Sequence, residues 1–135
     1  MLINETPPNV RRVETDREDA YAFEVTGHIT AADVENMYGL LEGAYTLHER
    51  IDVIVIIHDY DGIDWNAAWK EKTILGKTRG LKHIRKYAVI GGPGWLKGAL
   101  ALFKPFVSVD MQYFDLENVE AAWQWIGAKP SPGPV

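Results

Sequence analysis

The chain has 135 residues, a formal net charge of -5 and no cysteine. That length buries a real core without disulfides or a structural metal, so one domain is expected, ordered over about residues 9–127 with flexible tails at 1–8 and 129–135. The missing cysteines exclude disulfide scaffolds and Cys-based zinc or redox sites, and the acidic balance argues against general nucleic-acid binding. No stretch approaches the ~20 apolar residues of a membrane-spanning helix. Met1-Leu2-Ile3 is followed at once by Asn4, Glu5 and two prolines rather than by a signal peptide, so a cytoplasmic location is the default expectation.

Residues 9–14 make a weak strand built on Val10 and Val13, and the polar cluster at 15–19 reads as a turn. Tyr21, Phe23 and Val25 then alternate with smaller or polar neighbours, which marks a half-buried strand antiparallel to the first. Gly27 ends it. Thr30 followed three residues later by Asp33 resembles a capping box, and Val34, Met37, Leu41 and Tyr45 recur at helical spacing. Gly39 and Gly43 lie within that helix, each costing about 1 kcal/mol relative to Ala, so close backbone packing is expected to compensate.

The helix ends near residues 48–50 and the run IDVIVII follows at 51–57. A nearly continuous Ile/Val segment bounded by turn residues is a strand buried on both faces, the centre of a parallel sheet. His58, Asp59, Tyr60, Asp61 and Gly62 form its exit turn. Asp64 then caps a helix to about residue 76 or 81, with Trp65, Ala68, Trp69 and Leu75 towards one side. A second apolar strand at 87–90 stops at Gly91-Gly92-Pro93-Gly94, and a helix over 95–103 ends before Pro105. Val107, Val109, Met111 and Tyr113 alternate, as in a half-buried edge strand. Asp115 caps a last helix carrying Leu116, Val119, Ala122, Trp123 and Ile126, and the tail from Lys129 is too proline-rich to pack. Strands alternating with helices imply an α/β fold: a mixed, mostly parallel sheet of about five strands with four helices, the first strand antiparallel at one margin.

Several of these stretches together resemble the SpoIIAA-like family, relatives of the STAS domain. They are the central strand with its acidic turn at 51–62, the stretch WKEKTILGKTRGLKHIRKYAVIG, the helix start Gly94-Trp95, and the ending Tyr113-Phe114-Asp115 followed by Ala121-Ala122-Trp123-Gln124-Trp125-Ile126. The resemblance covers about residues 20–127. It implies a small α/β superhelix close in layout to lipid-binding domains of the CRAL-TRIO type, and a stand-alone cytoplasmic bacterial domain. Regulatory STAS domains carry a phosphorylatable Ser or Thr where the helix after the central strand begins. Here residues 58–69 contain neither, so that switch does not carry over.

The working edge is expected at the carboxyl ends of the strands, where ligands meet open α/β sheets. The residues assigned to a ligand there are Asp59, Tyr60, Asp61, Trp65, Trp69, Gly92 and Trp95, because tryptophans at neighbouring helix starts wall an apolar cleft. A small apolar or amphipathic molecule is the expected ligand, and a homodimer or protein partner is the alternative. No cofactor, metal or catalytic residue is assigned. His58 with Asp59, Asp61 and Asp64 matches no calcium or zinc spacing, and a Ser/Cys nucleophile beside a base is absent. The glycine turn at 91–94 lacks the Lys-Ser/Thr of a phosphate loop. Residues 70–86 hold seven basic side chains against Glu71, which reads as a solvated helix face or else a docking face for an acidic partner or anionic membrane.

Overall fold

A computed structural model of the chain describes residues 10–62, 83–103 and 109–131. The helix expected from Asp64, with Trp65 and Trp69, lies outside these residues, as do Phe106 and Val107. Strand β3 (Ile51–His58) occupies the middle of a five-stranded sheet ordered β1-β2-β3-β4-β5. Strand β2 (Ala20–Thr26) and β4 (Ile84–Gly91) flank it in parallel, with Val55 between Phe23 and Val89. Strand β1 (Val10–Val13) pairs antiparallel with β2 at one margin, and β5 (Asp110–Phe114) pairs parallel with β4 at the other. This is the expected architecture, with its one antiparallel pair where the sequence placed it.

The Ile/Val run is apolar throughout because both faces of β3 are covered. Val53 and Val55 join Tyr21, Phe23, Leu41 and Ala44 on the face covered by α1 (Ala31–Leu47). Leu100 of α2 (Trp95–Phe103) packs against the same cluster. Ile54 and Ile56 join Ala22, Ala88, Ile90, Trp123 and Ile126 on the face covered by α3 (Val119–Ile126).

Helix α1 starts at the expected capping box: Asp33 N–H donates to Thr30 Oγ1 at 3.2 Å and Thr30 N–H donates to Asp33 Oδ2 at 2.8 Å. Its two glycines overturn the expectation of close packing. A Cβ at Gly39 or Gly43 would meet nothing within 4 Å. Neither backbone conformation requires glycine, so each residue only weakens the helix. Gly39→Ala and Gly43→Ala should each stabilise the fold by about 0.5–1 kcal/mol, read as a rise in the midpoint of thermal unfolding.

Three other boundaries differ from the sequence reading. Strand β4 starts at Ile84 rather than 87, so Arg85 and Lys86, the last of the basic run, are strand residues. Asp115 makes no side-chain cap: a 3₁₀ turn, Leu116–Asn118, intervenes, and α3 begins only at Val119. The tail also packs further than its prolines suggested. Asp16 N–H donates to Lys129 O at 3.0 Å and Ser131 N–H donates to Glu14 O at 2.7 Å, so residues 129–131 lie antiparallel beside residues 14–16.

The amino end of the sheet is fastened at Asp52. Its side chain shares the α3 face with Ile54 and Ile56 by strand alternation and is 1% exposed. It accepts from Arg17 Nη2 at 2.9 Å, from Arg85 Nε at 3.0 Å and Nη2 at 2.6 Å, and from Lys86 N–H at 3.2 Å. A carboxylate taken out of water needs such partners. Arg17 Nη1 also donates to Ile126 O at 3.1 Å and Lys86 Nζ to Trp125 O at 2.9 Å, placing two cations on the last carbonyls of α3. Cations there satisfy carbonyls with no partner inside the helix.

Candidate functional site

At the carboxyl edge the loop after β3 is sewn to the loop after β2. Gly27 N–H donates to Asp59 O at 3.1 Å, Asp61 N–H donates to Gly27 O at 3.0 Å, and Ile29 N–H donates to Gly62 O at 2.9 Å. His28 Nδ1 lies 3.1 Å from Asp61 O. Asp59 has φ +48°, a left-handed conformation that Asp tolerates better than most residues. These backbone bonds hold residues 59–62 as a ledge on which Asp59 and Asp61 are exposed and Tyr60 is half-buried.

The next loop rises directly beside it, because Ile57 of β3 pairs with Gly91 of β4. Gly91 has φ +78°, and a Cβ there would sit 2.5 Å from Ile57 O and 2.8 Å from Leu116 Cγ. Gly92 has φ +84°, and a Cβ there would sit 2.9 Å from Leu96 Cδ2 and 3.1 Å from Ile57 Cδ1. The two glycines thus let the chain turn tightly over β3 and start α2 at once, with Leu96 N–H donating to Pro93 O at 3.0 Å. Asp59, Tyr60, Asp61 and Gly92 therefore belong to two adjacent loops at one edge, with Trp95 opening the helix that follows the second.

Helix α2 is apolar at nearly every position, WLKGALALF, yet none of its residues with a described side chain is buried. Trp95 is 48% exposed and Leu102 is 77% exposed. An amphipathic helix that packed fully on this sheet would hide such residues.

His58 does not join the aspartates that follow it. Among the described residues no group of three or more His, Asp or Glu side chains stands close enough to hold a metal ion. Its Nε2 lies 3.0 Å from Glu24 Oε2, and the other oxygen of Glu24 pairs with Arg11. The Arg11 guanidinium, helped by His58 and opposed by burial, holds the Glu24 carboxyl below its ordinary 4.5. The only sequence signal for Glu24 was its parity: it is the one acid inside β2, on the face that alternates away from Tyr21, Phe23 and Val25.

A groove of about 550 Å³ opens at the other end of the sheet, between the turn at 14–18 and the end of α1. Arg12 lies 4.8 Å from the centre of the Tyr21 ring there, with His48 edge-on to the same ring at 6.2 Å. No motif in the sequence pointed to it.

Set against known proteins, the family model described as SpoIIAA-like matches residues 20–127. The chain belongs to the SpoIIAA-like family. The match runs from the first residue of β2 to the residue that caps α3, so it takes in the whole parallel part of the sheet. Among solved structures, the SpoIIAA-like chain is similar to an uncharacterized protein with a SpoIIAA-like fold from Shewanella loihica PV-4. The TM-score is 0.68 at 25% identity, covering 92% of this chain and 98% of that one. No curated protein matches the chain. Among the described residues no helix is long and apolar enough to cross a membrane.

Proposed function

We propose that this SpoIIAA-like chain is a stand-alone cytoplasmic binding module that takes a small apolar or amphipathic molecule at the carboxyl edge of its sheet. The site comprises Asp59, Tyr60, Asp61, Gly92 and Trp95, and binding there involves no chemical step; Trp65 and Trp69, assigned to it from the sequence, lie outside the described residues. The observation that carries this reading is α2, an apolar helix whose Trp95 is exposed where the helix starts beside a polar ledge. Apolar surface with a few convergent polar groups is the composition of a small-molecule site. With no Ser or Thr at residues 58–69, occupancy rather than phosphorylation is the control on this edge.

Titration with oleate and with a lysophospholipid should give a saturable change in tryptophan emission, and native mass spectrometry should show one ligand per chain. Trp95→Ala, checked for folding by circular dichroism, should weaken binding about tenfold, the effect of losing roughly 1.4 kcal/mol of contact. A chain that carries no lipid through purification and shows no saturable change removes the proposal. Leu102, at the far end of α2 from the ledge, favours a second reading in which two copies pack α2 together. Light scattering separates the two, since a self-associating chain is dimeric before any lipid is added.

A further inference from the structure

The face of the sheet opposite α2 carries a polar corner of its own. Side chains of β1, β2 and β3 alternate, so Arg11, Glu24, Thr26 and His58 all lie on the α3 side. Arg11 stands opposite Glu24, and Thr26 opposite His58. Helix α3 packs on β3, β4 and β5 and leaves this corner open: Arg11 is 70% exposed and His58 39% exposed in their side chains.

The protonation pattern follows from the geometry. Arg11 keeps Glu24 ionised, and an ionised carboxylate only accepts hydrogen bonds. His58 Nε2 must therefore carry the hydrogen it donates to Glu24 Oε2 at 3.0 Å. In the neutral ring the bare, proton-accepting nitrogen is then Nδ1, which has no partner among the described residues. His28 and His83 instead engage backbone carbonyls through Nδ1, those of Asp61 and Glu49, both at 3.1 Å. A carboxylate holding one imidazole nitrogen fixes the tautomer and makes the other a better base. Arg11 uses one nitrogen on Glu24, and the rest of its fork is open to a second carboxylate. Arg11 and His58 hold the two oxygens of one carboxylate, so a small molecule with an acid at one end reaches from the Arg11 fork to Nδ1.

We propose that His58 is a general base, positioned by Glu24, in a second site on the α3 side of the sheet that takes a small carboxylate-bearing ester anchored by Arg11. Nδ1 takes a proton from water as the water oxygen bonds to the ester carbonyl carbon. The bond from that carbon to the alkoxy or aryloxy oxygen breaks, this oxygen leaves with the electron pair, and the imidazolium releases its proton to solvent. A carboxylic acid and the freed alcohol or phenolate are the products. This site shares no residue with the lipid-binding edge, so either stands if the other falls.

The probe is 5-acetoxy-2-nitrobenzoate, an aryl ester with a ring carboxylate, compared with neutral 4-nitrophenyl acetate. The full-length chain should hydrolyse the anionic ester at least 100-fold faster than free imidazole at equal concentration and pH. His58→Gln should remove that excess, while His28→Gln and His83→Gln should keep it. Glu24→Gln should lower kcat and leave KM for the anionic ester in place, a split that a merely structural role would not give. Arg11→Gln should abolish the preference for the anionic ester. Hydrolysis no faster than free imidazole, or full activity in a folded His58→Gln, overturns the proposal. Should His58→Gln not fold, the imidazole nitrogen spectrum of the wild type decides by NMR: a neutral His58 ring that carries its hydrogen on Nδ1 refutes the dyad.

Discussion

Asp52→Ala should lower the free energy of unfolding by about 3 kcal/mol, near the lower end of what breaking a buried ion pair costs. The carboxylate is 1% exposed and accepts four hydrogen bonds. Its removal leaves the Lys86 N–H without a partner and two guanidinium groups facing each other across a void. Those groups reach water in part, with side chains 27% and 46% exposed, which keeps the loss from the upper end of the range. Arg85→Met should cost less, about 1.5–2 kcal/mol, because Arg17 still neutralises the carboxylate. Urea unfolding followed by tryptophan emission measures both. An Asp52→Ala loss below about 1 kcal/mol would mean that the carboxylate is hydrated and the clamp is not what fastens the amino end of the sheet.

Gly91→Ala is the second large effect, an expected loss of about 3 kcal/mol. The left-handed backbone at φ +78° costs a side chain about 1–2 kcal/mol. The added Cβ would also lie 2.5 Å from the Ile57 carbonyl oxygen, an atom held in the β3–β4 ladder that cannot retreat without disturbing the register. Gly98→Ala within α2 is the matched control: a Cβ there meets nothing within 4 Å, so it should stabilise by up to about 1 kcal/mol. Equal effects at the two positions in thermal unfolding would show that the turn after β4 is not constrained as described. Because Gly91 sets where α2 leaves the sheet, the same substitution should also weaken any ligand held at Trp95.

Much of the architecture was legible locally. The run at 51–57 announced a strand covered on both faces, and Thr30 with Asp33 announced the start of α1. The alternation through Tyr21, Phe23 and Val25 gave the α1-facing side of β2, but the strand is not half-buried as expected: Ala20 and Ala22 are buried on its other face, under α3. These signals depend on residues within one or two turns of each other, so a linear reading captures them. The two α1 glycines misled because spacing alone does not say whether a neighbour approaches, and here none does. Asp115 misled for a related reason: a good capping residue is used only where the next turn is α-helical, and a 3₁₀ turn follows it.

The candidate edge was partly legible, since strand–turn–helix order places Asp59, Asp61, Gly92 and Trp95 at one end of a parallel sheet. The partners of its charged groups were not. His58 sits beside two aspartates in sequence yet pairs with Glu24, 34 residues away. Asp52 interrupts an apolar run, a sign that it would need cations, but nothing local names Arg17 and Arg85.

The order of the chain alone thus determined an α/β sheet with β3 in its interior and its loops gathered at one edge, because hydrophobic period and turn chemistry act over short distances. Only the tertiary structure decided which charge meets which, since ion pairs and hydrogen bonds are set by strand register, and register brings together residues that the sequence keeps far apart.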